Sequence, residues 1–297
     1  MDGKIFVPPI KIQGIKTKLV PLIKQNVSLS PGTLWVEPFM GSGVVGFNVR
    51  PGCALFADIN PHIINFYNAI KSGGINSDIV RAFLQDNGRM LEEGGEKFYY
   101  HVRERFNDTH SPLDFLFLNR SCFNGMIRFN REHKFNVPFG HKPHRFSKAY
   151  ITKITNQVKY VEDCLKIYDW EFICQPFSDT IAMPEGDMFI YCDPPYSGRH
   201  NDYYDSWDER SELELCRCLQ ESEARFMLSI WDCDKYRENG SINTVWNFCR
   251  KISHEHFYHV GAKEANRHSM TEALLMNYPA ATSITAGHQP SPVTFPA

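Results

Sequence analysis

Four consecutive residues, Asp193-Pro194-Pro195-Tyr196, follow the apolar run Met188-Phe189-Ile190-Tyr191-Cys192. They set a carboxylate, a backbone carbonyl and an aromatic ring at the end of an expected buried strand. Proline has no N–H and a fixed φ, so two in a row end the strand's ladder and leave the Pro194 carbonyl free to accept from a ligand. Asp193 can accept the second hydrogen of the same NH2 group, and Tyr196 offers a face for stacking. The combination suits a planar amine whose nitrogen lone pair is aimed at an electrophile. Taken by itself, the tetrapeptide also fits a plain Pro-Pro turn at a strand end.

A second constellation lies upstream. Glu37-Pro38-Phe39-Met40-Gly41-Ser42-Gly43 follows the short apolar run Leu34-Trp35-Val36, and an acid, Asp58, ends the next such run, Ala54-Leu55-Phe56-Ala57. Glycines let backbone amides approach a ligand, and a carboxylate about twenty residues further on can accept both ribose hydroxyls. The pattern is not GxGxxG, which argues against a dinucleotide. A nucleoside is the expected ligand, with an ordinary tight turn as the competing reading of the loop.

Charge is unevenly placed. From Asn119 to Lys153 there are eight basic residues (Arg120, Arg128, Arg131, Lys134, Lys142, Arg145, Lys148, Lys153) against one acid, Glu132, and Phe123, Phe129, Phe135 and Phe139 are interleaved with them. From Asp202 to Glu223 the balance reverses. A local basic face is the footprint of a phosphate-binding surface, although most charge runs are simply solvated.

The elements that must hold these residues read as an open α/β sheet. Both apolar runs around the glycine loop are strands, and Asn60 caps a helix that begins at Pro61 and turns Ile63, Ile64, Phe66, Tyr67 and Ile70 inward. The chain from Ser77 to Cys122 has helical periodicity. Met126 to Phe129 and Phe135 to Val137 flank the polar turn Asn130 to Lys134 as a β-hairpin would. Another helix, Ser147 to Ile167, leads to the strand Trp170 to Cys174. After Asp193 come a helix at Glu209 to Gln220, a strand at Phe226 to Ile230 and a closing pair at Phe257 to Val260 and Ala273 to Met276. The expectation is one α/β domain, residues 1–60 and 172–278, interrupted by a mostly helical insertion, 61–171, and followed by a disordered tail, 279–297. Ligands of such sheets bind beyond the carboxyl ends of the strands.

Composition agrees with an ordinary globular chain: 297 residues, 42% hydrophobic, 22% charged, net charge −2. Nine cysteines without a CxxC pair argue against disulfides and against zinc or another metal. The start MDGKIFVPPIK has no apolar h-region and no run is long enough to cross a bilayer, so a cytoplasmic protein with no membrane partner is expected.

In this order, Gly14-Ile15-Lys16, the Glu37 to Gly43 loop, a basic insertion and Asp193-Pro194-Pro195-Tyr196, the chain resembles the Dam-like adenine-specific DNA methyltransferases. Val7-Pro8-Pro9-Ile10, the run Gln13 to Pro21, Asn119 to Asn130 and Tyr258 to Ala262 extend the resemblance over nearly all of residues 4–278. It implies a Rossmann-like S-adenosylmethionine-dependent methyltransferase sheet with an inserted DNA-recognition domain. S-adenosylmethionine would be the methyl donor, with Lys16 at its methionine end, Glu37, Phe39, Gly41, Ser42 and Gly43 in the loop around it, Asp58 at its ribose, Phe177 beside its adenine and Asp193 at the reacting centre. Two positions depart from the family pattern: Ile12 stands where the first motif has tryptophan, and Pro176 where an acid precedes the Phe177 position.

Carried onto these residues, the resemblance implies methylation of the amino group of adenine in duplex DNA. Asp193 and the Pro194 carbonyl would hold both amino hydrogens and localise a lone pair otherwise delocalised into the ring. The base must leave the stack, with Tyr196 stacking on it. Arg128 is a candidate for guanine and Asn124 for a neighbouring base or phosphate, whereas Lys134, Lys142 and Arg145 would meet phosphates. A structural ion pair is the alternative for Arg128. His200 and Tyr203 either close over the flipped base or belong to a surface loop. The implied site is a short palindrome beginning GAT, with GATATC as candidate, and the implied setting is a restriction-modification system whose endonuclease acts on the same site without a stable complex. Competing readings are methylation of RNA adenine or of a protein glutamine, and a catalytically silent DNA-binding protein with S-adenosylmethionine as effector. The basic hairpin insertion argues against the first pair and the intact Asp193 to Tyr196 motif against the last.

Overall fold

The computed structural model describes residues 4–183, 186–195, 207–233, 237–257 and 269–279. Among them, β1 (Leu34–Glu37), β2 (Cys53–Asp58), β3 (Asp169–Cys174), β4 (Met188–Cys192), β5 (Arg225–Cys233), β6 (Arg250–Phe257) and β7 (Ser269–Met276) form one sheet in the order β3-β2-β1-β4-β5-β7-β6. The pairs from β3 through β5 are parallel, and β7 lies antiparallel between β5 and β6. Strand order reverses between β1 and β4, which is the position where open α/β sheets receive ligands. All five residues of β4 are buried, as the unbroken run Met188 to Cys192 requires of a strand covered on both faces.

Nine helices accompany the sheet in the described residues: α1 (Val20–Asn26), α2 (Val44–Val49), α3 (Pro61–Lys71), α4 (Ser77–Thr109), α5 (Pro112–Ser121), α6 (Lys148–Leu165), α7 (Phe177–Ala182), α8 (Glu209–Glu221) and α9 (Ser241–Thr244). At α3 the Asn60 side chain accepts the His62 N–H at 3.0 Å, and the expected apolar residues are buried. α4 is broken at Gly95, whose φ of 52° and ψ of −132° no helix accommodates.

Four consecutive inward residues of α5, Phe115 to Leu118, are fully buried, and the next two do more than fill space. Asn119 exchanges two hydrogen bonds with the Lys11 backbone, at 2.8 and 2.9 Å. The buried Arg120 guanidinium donates to Pro9 O at 2.7 Å and to Gln157 Oε1 at 2.7 Å. The helix thereby fastens the N-terminal segment across the molecule.

Residues 61–171 do not form a separate core. One cluster of buried side chains runs from Trp35, Phe47 and Phe56 beside the sheet to Phe115, Phe135 and Phe146. The ends of the segment belong to the layer on the sheet: Tyr67 on α3 stacks on Phe172 of β3, and Tyr160 on α6 donates to Phe47 O at 2.9 Å. A second cluster, with Val36, Ile190, Leu228, Trp246 and Leu275, covers the other face.

Three expectations about elements are corrected. The glycine loop runs into a short helix, α2, rather than directly into β2; six residues rich in valine carry little helical signal of their own. The closing pair begins earlier than expected, β6 at 250 rather than 257 and β7 at 269 rather than 273, while 258–260 lie outside the described residues. The expected hairpin of 126–137 is a loop closed by one isolated bridge, Phe129 to Phe135, flanked by Asn130 N to Lys134 O at 2.9 Å and Asn136 N to Arg128 O at 3.2 Å. No ladder extends from it, because the second arm is bound by α4 instead. Asn107 brackets Phe135, accepting its N–H at 2.7 Å and donating to its carbonyl at 3.3 Å, and Tyr99 donates to Val137 O at 2.7 Å. The tail from 280 onward lies outside the described residues.

Candidate active site

β4 ends at Cys192, and the two prolines that follow leave Asp193 at its mouth, with the Asp193 side chain 23% exposed. One carboxylate oxygen is held from two sides. Asp193 Oδ1 accepts from Lys16 Nζ at 3.0 Å and from Ser229 Oγ on β5 at 2.9 Å, and Ser229 is itself fixed by Tyr191 OH at 3.1 Å. Oδ2 has no polar partner among the described residues, and neither does the buried Pro194 carbonyl. Among the described residues the site therefore offers a carboxylate oxygen and the carbonyl of the following residue as acceptors, the two that an NH2 group needs.

Lys16 is buried, and its ammonium also donates to Gly14 O at 2.9 Å and faces Glu272 Oε1 of β7 at 3.5 Å. A buried cation persists only when paired, and stripping away one partner of such a pair typically costs about 3–5 kcal/mol. Burial pushes the Asp193 carboxyl above the ordinary carboxylate range; Lys16 opposes this and Glu272 adds to it.

Beyond the ends of β1 and β2 the glycine loop is fastened to its neighbours. Met40 N donates to Ala57 O at 2.8 Å, and Gly41 N to Asp58 Oδ2 at 2.9 Å. Asp58 Oδ1 accepts the Asn60 N–H at 2.9 Å, so this carboxylate joins the loop to the cap of α3. Burial raises its pKa to about 6, against the pull of the two N–H groups. Gly43 has a φ of 74°, and a Cβ there would stand 2.8 Å from the Phe47 ring, so both backbone and space demand glycine. Ile12 packs on this loop, its Cδ1 3.3 Å from where a Gly41 Cβ would be. Ser42 is buried and its carbonyl accepts from Tyr67 OH at 2.7 Å.

Glu37 turns inward: Oε2 accepts Trp35 Nε1 at 3.0 Å and the Gly46 N–H of α2 at 3.1 Å, and burial raises its pKa to about 8. Phe39, expected in the loop around the cofactor, and Phe177, expected beside its adenine, stack with centroids 5.4 Å apart, and Trp207 stands edge-on to Phe39 at 5.6 Å. Sequence reasoning missed Ser229, Tyr191, Glu272 and Trp207. Only Glu272 left a signal: an acid among the apolar residues of a strand is buried only with a partner.

The basic residues divide. Asn124 is exposed in a tight turn, Phe123 to Gly125, with a φ of 54°, beside Phe123 at 48% exposure. Arg128 donates from Nε to Asn136 Oδ1 at 2.8 Å and from a terminal nitrogen to Asn136 O at 3.2 Å, a hydrogen-bonded brace rather than the ion pair considered for it. Lys134 pairs with Glu132 at 3.3 Å at the surface, and Lys142 is exposed. Arg145 is half-buried, donating to Arg120 O at 3.0 Å and Tyr150 OH at 2.8 Å with its guanidinium 4.3 Å above the Tyr150 ring. Tyr196, His200 and Tyr203 lie outside the described residues. Among the described residues no group of three or more His, Cys, Asp or Glu could hold a metal ion, and no helix is long and apolar enough to cross a membrane.

Comparison with known proteins bears on this arrangement. The pattern of the D12 class N6 adenine-specific DNA methyltransferases matches residues 13–265, a span that includes Lys16, the glycine loop, Asp58 and Asp193. The chain is 31% identical over 245 residues to a DNA adenine methylase of Serratia marcescens, covering 77% of this chain and 85% of that one. It is 30% identical over 248 residues to a DNA adenine methylase of Haemophilus influenzae, covering 78% and 82%. It is 32% identical over 221 residues to the retron Ec67 DNA adenine methylase of Escherichia coli, covering 71% of each.

Proposed function

The chain belongs to the D12 class of N6 adenine-specific DNA methyltransferases, an enzyme family that acts on DNA, and on that premise we propose its donor, its site and its residues. The donor is S-adenosylmethionine, and the acceptor is the exocyclic amino nitrogen of adenine in a short duplex palindrome beginning GAT, with GATATC as candidate. The role is protection of that site from a cognate restriction endonuclease. The site and role rest on the run Asn119 to Asn130 and the other motifs quoted above, which resemble those of the EcoRV modification methylase in particular.

The observation that carries the catalytic reading is the division of labour on Asp193, with one oxygen tied to Lys16 and Ser229 and the other without a hydrogen-bond partner among the described residues. The residues fit the donor. Asp58 stands at a strand end where a ribose can share its oxygens with Gly41 and Asn60, Phe39 and Phe177 offer aromatic faces, and Gly41 and Gly43 keep the loop bare of side chains. S-adenosylmethionine, when bound, supplies an electrophilic methyl group on a sulfonium. Asp193 Oδ2 and the Pro194 carbonyl each accept one amino hydrogen of the target, which turns the nitrogen lone pair out of the ring and stabilises positive charge as it grows. The nitrogen must then lose a proton. Burial makes Asp193 a stronger base than an exposed carboxylate, which suits it to take that proton directly or through water.

Residues 61–171 serve as the target-recognition insertion. Asn124 and Arg128 meet bases and Lys134 and Lys142 meet phosphates, while the internal bonds of Arg145 favour a share in shaping the surface. The test is to incubate the protein with labelled S-adenosylmethionine and plasmid DNA, RNA or protein, then challenge the DNA with methylation-sensitive endonucleases. Label on DNA and protection at a GAT-type palindrome are expected; label on RNA or protein alone overturns the reading.

A further inference from the structure

We propose that Glu272 is a positioning residue for methyl transfer: from β7 it shares the Lys16 ammonium with Asp193 and so keeps the second Asp193 oxygen open for the target amine. This rests on the reading of Asp193 given above.

The ammonium faces Gly14 O at 2.9 Å, Asp193 Oδ1 at 3.0 Å and Glu272 Oε1 at 3.5 Å. Glu272 is 1% exposed and Lys16 4%, whereas Asp193 opens to the site at 23%. A lysine next to a single carboxylate is free to sit between its two oxygens. A second carboxylate competes for the cation, which lies 3.0 Å from Asp193 Oδ1, the oxygen that Ser229 also holds. The two supports come from adjacent strands. Ser229 on β5 pairs with Leu274, two residues along β7 from Glu272, so the hydroxyl and the carboxylate share a rigid frame.

The sequence places an acid where a strand in the middle of a sheet would carry an apolar residue. Its position opposite Trp231 on β5 and His254 on β6 gives it no route to water. Two acids, Asp193 and Glu272, share the one ammonium of Lys16. A carboxylate whose cation is shared favours a site in which a positive centre develops on the amine.

Among the described residues, the groups bearing on Asp193 are Lys16 from the N-terminal segment, Glu37 from β1, Tyr191 and Cys192 from β4, Ser229 from β5 and Glu272 from β7, with His254 of β6 across from Glu272. Glu272 raises the Asp193 pKa and Lys16 lowers it. Replacing Glu272 by the isosteric, neutral glutamine removes a like charge and a competitor for the Lys16 ammonium. Asp193 then stays ionised to lower pH, but with its free oxygen encumbered.

The experiment compares wild type, Glu272→Gln and Glu272→Asp in steady-state methylation of duplex DNA across pH, with S-adenosylmethionine affinity by calorimetry and melting temperature beside it. Glu272→Gln is expected to lower kcat by about tenfold or more, to leave cofactor affinity within about twofold, and to move the acid limb of the kcat profile to lower pH. Glu272→Asp, which keeps the charge, should hold the acid limb near its wild-type position with an intermediate kcat. The proposal is overturned if Glu272→Gln has the kcat and acid limb of wild type. It is equally overturned if kcat, affinity and melting temperature fall together with the limb unmoved, the mark of a merely structural role. Should Glu272→Gln not fold, Glu272→Asp decides: lowered kcat with intact affinity supports positioning, and wild-type kcat refutes it. If wild type itself methylates no DNA, the failure belongs to the functional reading and not to Glu272.

Discussion

His62, the second residue of α3, lies face to face with Phe129 of the basic loop, ring centroids 4.8 Å apart and planes within 15°. The contact joins the proposed cofactor site to the proposed DNA-reading loop. His62 is four residues from Asp58, whose carboxylate holds the glycine loop, and Phe129 is next to Arg128. His62 is 5% exposed, Phe106, His110 and Phe115 also pack around it, and its Nδ1 is buried with no hydrogen-bond partner among the described residues.

Burial, with His110 adding to it, lowers the His62 pKa from 6.5 to about 4. The unfolded chain therefore binds a proton that the folded chain refuses. The stability this site contributes is complete above pH 6.5 and is lost as pH falls towards 4, by roughly 2 kcal/mol between pH 7 and pH 5. Replacing His62 with Phe keeps an aromatic face against Phe129 and removes the titration. Thermal melts at pH 7 and pH 5 should show a smaller loss in His62→Phe than in wild type. Equal losses would place the acid sensitivity elsewhere.

Asp58 should bind cofactor and brace its own loop at once. Asp58→Ala leaves the Gly41 and Asn60 N–H groups without their acceptor as well as losing a ribose contact. Calorimetry is expected to show S-adenosylmethionine binding weakened by about 1–3 kcal/mol, with a lower melting temperature for the free protein. Unchanged affinity would take Asp58 out of the cofactor site.

Much of this site was legible because its parts are local. A strand end, a glycine loop and an acid closing the next strand are each written within a few residues, and parallel pairing brings β1, β2 and β4 to one edge. What was illegible depends on neighbours in the sheet. Ser229 reaches Asp193 because β5 lies next to β4, and Glu272 reaches Lys16 through β7 inserted antiparallel beyond it; no spacing along the chain encodes either contact. The hairpin was misread for a related reason. Alternation in residues 126–137 suggests strands, but the Asn107 side chain, nearly thirty residues upstream, claims the backbone of Phe135.

Asp193 is expected to act on the amine rather than to hold the fold. Asp193→Asn keeps an oxygen for Lys16 and Ser229 but presents an amide where the target needs an acceptor. Methylation should fall by several orders of magnitude while cofactor binding stays near wild type. An equal fall in cofactor affinity would mean that the carboxylate serves the donor instead.

The basic residues proposed to meet DNA differ in their surroundings, which separate the roles expected of them. Arg128, braced by both acceptors of Asn136, is held as a rigid fork suited to a guanine edge. Arg128→Ala should cost roughly 1–3 kcal/mol on the preferred site and relax discrimination at one base pair. Lys142 is exposed, so Lys142→Ala should weaken all duplexes about equally and reduce the salt slope by about one unit. Arg145 is bound to Arg120 O and Tyr150, so Arg145→Ala should lower the melting temperature and change the salt slope little. Methylation rates for the three variants across single-base variants of the site, at several salt concentrations and beside thermal melts, test all three assignments. If Arg128→Ala lowered every rate by one common factor, the guanine contact would be refuted and Arg128 would join Lys142 as a phosphate contact.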